Sequence, residues 1–290
     1  MNETWVVQHA AGGGVLRRHR STELEAVRFE HKVINHVRAS GLPVPHLLPC
    51  KVGDSVVEYG GRLYTLYSLE PGEHAERGRA GERRACAAGE TLAHVHRALA
   101  TLDGGPDDTD APSSAPGTVE RFDELERRVR SMGSHHLTEF VLTDLDDRRR
   151  WLARHGTRSA NCPGDPQVIH GDYQLTNILF IHDTVSAVID WDKARRASPV
   201  MEVVRALDHG LELDSADCRA FLTGYRSVLS LPDEVLRGGV EYWTQQQARS
   251  VWVLESAVVD GDSRVAEFLR PFRPFDQRWA EAGVETAPTR

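Results

Sequence analysis

The stretch Val168–Asp192, which reads VIHGDYQLTNILFIHDTVSAVIDWD, constrains the fold of this chain more than any other. A short apolar strand at Val168-Ile169 breaks at Gly171 into a loop that carries Asp172 and, five positions on, Asn177. Two β-rich runs follow, Asn177–Ile181 and Val185–Ile189, and the short His182-Asp183-Thr184 link between them predicts a hairpin. The hairpin ends on Asp190 and so returns that carboxylate toward the Asp172 loop. Asp and Asn also cap turns in ordinary α/β loops, but such a loop does not require both motifs in this order with a hairpin between them.

Phosphoryl transfer assisted by Mg²⁺ needs hard oxygen ligands for the metal and a separate base for the acceptor hydroxyl. Asp172 suits the base, and Asn177 and Asp190 suit the metal. The same Asp-to-Asn spacing, followed by a metal-binding Asp on a hairpin, marks the protein-kinase signature H-R-D-L-x-x-x-N. Here His170-Gly171-Asp172 stands for His-Arg-Asp, and Ile189-Asp190-Trp191-Asp192 for Asp-Phe-Gly. HGD-x4-N followed by IDWD resembles the aminoglycoside phosphotransferase, choline kinase and homoserine kinase group of small-molecule kinases. That resemblance implies an α+β fold of the bilobal protein-kinase type, with a small antiparallel-sheet N-lobe over residues 1–71 and a larger, mainly helical C-lobe over 72–290. It also implies ATP or GTP and Mg²⁺ as cofactors.

A chain of 290 residues with 40% hydrophobic content can build the core of one large domain or two lobes. No stretch approaches transmembrane length, and the N-terminus lacks the basic and apolar regions of a leader, which predicts a soluble, cytoplasmic protein with no membrane partner. Cys50, Cys86, Cys162 and Cys218 lie far apart with no C-x-x-C pair, so neither a zinc site nor a disulfide framework is indicated. A net charge of −8 argues against a nucleic-acid partner and suits a cationic acceptor without demanding one. The expected partner is a small-molecule hydroxyl acceptor, with the protein acting as a monomer or homodimer. Lys32, Lys51 and Lys193 are the only lysines, so basic character is carried by arginine.

Trp5–Gln8 and Val15–Arg18 read as strands around a glycine-rich turn at Ala10–Gly14. The resembled fold needs a cation on the inner face of the second strand to hold the α- and β-phosphates, usually a lysine. Arg17 shares a strand face with Val15 and takes that role, with Arg18 as the second candidate; a solvated basic strand end is the plain alternative. Ser21-Thr22 with Glu25 reads as a capping box for a helix that runs to about Ser40. Val27, Ile34 and Val37 fall on one face of it with Glu30 inside the stripe. A carboxylate buried there needs an internal cation, and Arg17 is the natural partner; otherwise Glu30 lies at the edge of the stripe, in water. Gly60-Gly61 joins Ser55–Tyr59 to Arg62–Leu69 as a type I′ hairpin. In the resembled fold Leu69 and Glu70 then form the hinge that meets the adenine edge. Members of that group carry a further strand before the position of Trp5, so here either the chain begins late or the lobe manages with one strand fewer.

In the C-lobe, residues 81–100 are helical in pattern, and Leu92-Ala93-His94-Val95-His96 resembles the LAxxH helix of these kinases, with His96 in a structural role. The segment 103–118 is rich in Pro, Gly, Ser and Asp and reads as a mobile surface loop. A charged helical stretch follows, with Phe122, Leu125, Val129 and Met132 as its core stripe. Glu202 stands where the resembled group has a helix-start aspartate, near a positive helix end that favours it. Asp192 is open to three roles: contact with a cationic acceptor, a second metal, or support of the loop. Glu255 and Asp260 are candidate acceptor contacts on a late aromatic-rich helix, whose aromatics otherwise read as core.

The expected reaction is transfer of the γ-phosphoryl group to a hydroxyl of an aminoglycoside or other antibiotic, an amino alcohol or a homoserine-like metabolite. The alternative, prompted by the short N-terminus and the arginine in place of lysine, is a non-catalytic nucleotide-binding or scaffolding pseudokinase. An intact Asp172, Asn177 and Asp190 weigh against it, since a binding module has no need of a base.

Overall fold

A computed structural model describes residues 2–9, 12–76, 78–107, 115–132, 136–155, 162–262, 265 and 268–284. In chain order these form β1 (Glu3–His9), β2 (Gly12–Arg18), α1 (Leu24–Ala39), β3 (Leu47–Leu48), β4 (Val57–Tyr59), β5 (Arg62–Ser68), β6 (Glu73–His74), α2 (Glu82–Leu99), α3 (Ala115–Ser131) and α4 (Thr138–His155). There follow β7 (Gln167–Ile169), β8 (Ile178–Ile181), β9 (Thr184–Val188), β10 (Arg195–Ala197), α5 (Pro199–Arg205), α6 (Ser215–Val228), α7 (Asp233–Arg249), α8 (Trp252–Leu254) and α9 (Phe275–Ala282). α5 runs on as a π turn over Ala206–Gly210, and α8 over Glu255–Val259.

The chain divides into two compact units, one of residues 1–108, 164–236 and 284–290 and the other of 109–163 and 237–283. The first unit holds an antiparallel sheet in the order β1-β2-β5-β3, with β4 also paired to β5. Alternation along β5 buries Leu63, Thr65 and Tyr67 on one face. Val27 of α1 packs there with Val56 and Leu63. The spacing in α1 buries Val27, Glu30, Ile34 and Val37 together, as the apolar stripe predicts. Its start differs from the predicted capping box. Ser21 Oγ accepts the Glu23 N–H at 3.1 Å, so the serine oxygen serves a turn two residues on; the helix begins at Leu24 with no side-chain cap. Gly60 and Gly61 both have positive φ, 58° and 68°, as a type I′ turn requires.

The predicted catalytic hairpin is β8–β9, which turns at His182 in the left-handed region, φ 55°. Its limits are shorter than the alternating runs suggest. Asn177 closes a 3₁₀ turn over Leu175–Asn177, and the Ile189 N–H, just past β9, donates to Asn177 O at 2.9 Å. β6 pairs with β8, and β7 pairs with β10. Beneath them α2 and α6 cross at backbone contact. A Cβ on Gly89 would lie 2.0 Å from Phe221 O, and one on Gly224 would lie 2.0 Å from Cys86 O, so each helix presents a glycine to the other's main chain.

The second unit is helical, with a core of Phe122, Leu125, Val129, Val141, Leu145, Trp151, Leu152, Ala248 and Leu254. Met132, predicted to extend that stripe, lies beyond the end of α3 and is exposed. Of the predicted loop, residues 108–114 lie outside the described residues, while Lys32 Nζ donates to Asp103 O at 2.7 Å and the Arg196 N–H to Pro106 O at 2.8 Å. Residues from Ala115 on are already helical. No helix among the described residues is long and apolar enough to cross a membrane.

Candidate active site

The Asp172 loop is shaped at Gly171. Its φ is 83°, and a Cβ there would stand 2.0 Å from Lys193 O, so a side chain at this position is excluded by both backbone and space. The neighbouring His170 is fully buried and packs against Trp191, ring centroids 4.4 Å apart. Its Nε2–H donates to Ile189 O at 3.0 Å and its Nδ1 accepts the Asp172 N–H at 3.2 Å, two contacts that fix one tautomer. Asn177 Nδ2 donates to Asp172 O at 2.8 Å, which leaves its amide oxygen for the cleft that Asn177 lines.

Glu202 of α5 anchors this loop from below. Its carboxylate accepts the N–H groups of His170 and Gly171, together with His96 Nε2–H at 3.0 Å. The Tyr225 hydroxyl donates in turn to His96 Nδ1 at 2.9 Å. Burial alone would raise the Glu202 proton affinity, but the hydrogen bond from His96, the nearby His96 and His170 imidazoles and the Gly171 N–H hold the carboxyl down at about 2. Glu202 and His96 therefore support the loop, the structural role read for each.

The opposite wall is built on β2 and α1. Arg17 reaches Glu30 at 3.3 Å and Asp190 at 2.7 Å, with its guanidinium 5.5 Å from the centre of the Tyr67 ring. Arg18 points to the other face of the strand and pairs with Glu3. The Tyr67 hydroxyl donates to Glu30 at 2.9 Å, and His19 lies 3.7 Å from the same carboxylate. Burial outweighs Arg17 and Tyr67 and pushes the Glu30 carboxyl up to about 7. The attraction of Asp190 and Glu30 in turn overcomes burial and raises Arg17. His19 and His31 share the Thr65 hydroxyl at 2.8 and 3.0 Å; burial, reinforced by the Arg17 charge, holds both rings down at about 4.

A cleft of about 720 Å³ lies between these walls, within the first unit. Arg17, Glu30, Leu69, Glu70, Asp172, Asn177, Asp190 and Asp192 all line it. Asp190 is held at φ 66°, a left-handed conformation that costs a non-glycine residue about 1 kcal/mol and collects at functional sites. Asn2 Nδ2 donates to Asp192 at 2.9 Å, while burial and then the nearby Asp190 charge raise the Asp192 carboxyl above the ordinary range. Glu255 belongs to the second unit, where it makes a two-pronged pair with Arg121. Sequence reasoning missed Arg205, which pairs with Asp172 at 2.5 Å; the available signal was its place three residues after Glu202, on the same helix face. It also missed Tyr67 and Asn2, whose partners are distant in the chain.

Among the described residues no group of three His, Cys, Asp or Glu side chains is placed to hold a metal alone. The donors present are the Asn177 amide oxygen and the Asp190 carboxylate, with Asp192 close enough to Asp190 for the two charges to oppose. Hard oxygens, few in number and with excess negative charge, fit a divalent cation whose remaining ligands come from phosphates.

The sequence matches the phosphotransferase enzyme family, APH, over residues 1–235, and the chain belongs to that family. It is accordingly a small-molecule phosphotransferase. No curated protein matches the sequence. Among solved structures it is similar to the amicoumacin kinase hAmiN, determined with AMP-PNP and Ca²⁺, at 14% identity and TM-score 0.62 over 97% of this chain and 84% of that one. It is also similar to an aminoglycoside phosphotransferase from Alicyclobacillus acidocaldarius (14%, TM-score 0.58, 97% and 89% covered). A microcompartment-associated aminopropanol kinase shares 18% identity at TM-score 0.57, with 98% and 91% covered. At these identities the likeness is one of fold, the α+β protein-kinase-like fold that the two motifs predict.

Proposed function

We propose that this protein transfers the γ-phosphoryl group of ATP, or of GTP, to a hydroxyl of a small molecule in the presence of Mg²⁺. The observation that carries this reading is the convergence of Asp172, Asn177, Asp190 and the Arg17–Glu30 pair on one cleft. Its volume lies within the roughly 300–1,000 Å³ of small-molecule and cofactor sites, and Val15, Leu69 and Leu179 give it an apolar wall suited to a purine. Arg17, braced by Glu30, orients the phosphates as a fixed cation with a planar fork, a geometry a lysine lacks. Asn177 and Asp190 hold the divalent cation, which when bound neutralises charge on the β- and γ-phosphate oxygens. Asp172 orients the acceptor hydroxyl and receives its proton. Leu69 and Glu70 flank the base at the hinge.

The solved relatives are named for amicoumacin, an aminoglycoside and aminopropanol. A chain of net charge −8 with Asp192 beside the cleft favours an acceptor of the amine-bearing alcohol kind. The test is ADP release over a panel of aminoglycosides and amino alcohols, with Asp172→Asn beside the wild type. The variant is expected to lose turnover by roughly 10²–10⁴-fold while binding AMP-PNP as the wild type does. Equal loss of turnover and nucleotide binding would remove Asp172 from the role of base.

A further inference from the structure

We infer that Arg205 is a positioning residue for phosphoryl transfer, holding the Asp172 carboxylate with one oxygen turned to the acceptor; this rests on the reading of Asp172 as the base. Arg205 Nη2 donates to Asp172 Oδ1 at 2.5 Å and its Nη1 to Gly171 O. Gln174 Nε2 adds a 3.3 Å contact to the same Oδ1. Both donors thus fall on one carboxylate oxygen, and among the described residues none is hydrogen-bonded to Oδ2.

The torsion that sets a carboxylate plane is broad and two-fold, so an unheld Asp samples many orientations. A charge-assisted bond to one oxygen removes that freedom and fixes where the other oxygen lies. The clamp belongs to one helix. Glu202 takes the N–H groups of His170 and Gly171, and Arg205, one turn later, takes the Gly171 carbonyl and the Asp172 side chain. An anion and a cation three residues apart on α5 therefore grip the two sides of the Gly171 residue. Gly210, at the end of the π turn that follows, faces the backbone at Gln174 and Leu175, where an added Cβ would stand 3.5 Å from each.

Arg205 and Asp172 are 23% and 20% exposed, and an ion pair open to water contributes little to folding. Its consequence is orientation, and a misplacement of about 1 Å in a reacting group can cost roughly 10²-fold in rate. The experiment measures Mg·ATP consumption, with water and with the amine-alcohol panel as acceptors, for the wild type, Arg205→Met, Arg205→Lys and Arg205→Ala. Calorimetric AMP-PNP binding and thermal melting are recorded for each.

Arg205→Met is expected to lower kcat by about 10–100-fold with the KM for ATP, AMP-PNP affinity and melting temperature near wild-type values. Arg205→Lys is expected to recover part of the loss, and added guanidinium to restore Arg205→Ala but not Arg205→Ala combined with Asp172→Asn. An Arg205→Met enzyme that turns over at the wild-type rate, or one that loses ATP binding and melting temperature in step with kcat, would overturn the positioning role alone. A wild type that consumes no ATP with any acceptor would overturn the phosphotransfer reading and this role with it.

Discussion

Glu30 is 4% exposed and faces Arg17, Tyr67 and His19, yet desolvation prevails and its carboxyl titrates near 7 in place of the ordinary 4.5. Between those two values the folded protein keeps a proton that the unfolded chain has lost, so each rise in pH across that window favours unfolding. The wild type is therefore expected to lose melting temperature between about pH 5 and pH 7.5 relative to Glu30→Gln, and parallel profiles for the two would contradict it. At this scale the sequence was readable where a residue violated its surroundings. Glu30 interrupts an apolar stripe and so demanded a cation, and Asp172, Asn177 and Asp190 are hard oxygens in a fixed spacing. Tyr67 and Arg205 violate nothing locally. Their partners lie 37 and 33 residues away, and only the folded chain brings them together.

The α2–α6 crossing depends on two glycines facing two carbonyls, so the helices cannot take a Cβ at Gly89 or Gly224 without moving apart. Gly224→Ala is expected to destabilise by about 3 kcal/mol, the upper end of overpacking costs, read as a lower urea midpoint with an unchanged slope. An unchanged midpoint would show that the backbones are not in contact. Element boundaries followed the alternating and 3.6-residue patterns well where turn chemistry was local, as at Gly60-Gly61. They failed where two local bonds competed, as at Ser21, and at the π turns after α5 and α8, which no local sequence signal announces.

Across the whole molecule, compactness groups the chain differently from a division at residue 71, because the β1–β5 sheet and the segment 164–236 fall in one unit. The bonds that join them are long-range, including Val188 N–H to Pro43 O and Arg17 to Asp190, and no composition shift announces them. The second unit draws on two segments far apart in sequence, whose helical patterns were legible separately while their common core was not. The central claim is that the cleft of the first unit binds nucleotide and metal together through Asp190. Its most direct test is calorimetric titration of AMP-PNP, with and without Mg²⁺, into the wild type and Asp190→Asn. The wild type is expected to bind in a Mg²⁺-dependent manner, and Asp190→Asn, which replaces a charged ligand by a neutral amide, to bind at least about 10-fold more weakly, since even groups that only support a metal's ligands are worth about 10–100-fold. Absence of AMP-PNP binding to the wild type, or equal Mg²⁺-dependent affinity in both proteins, would contradict the account.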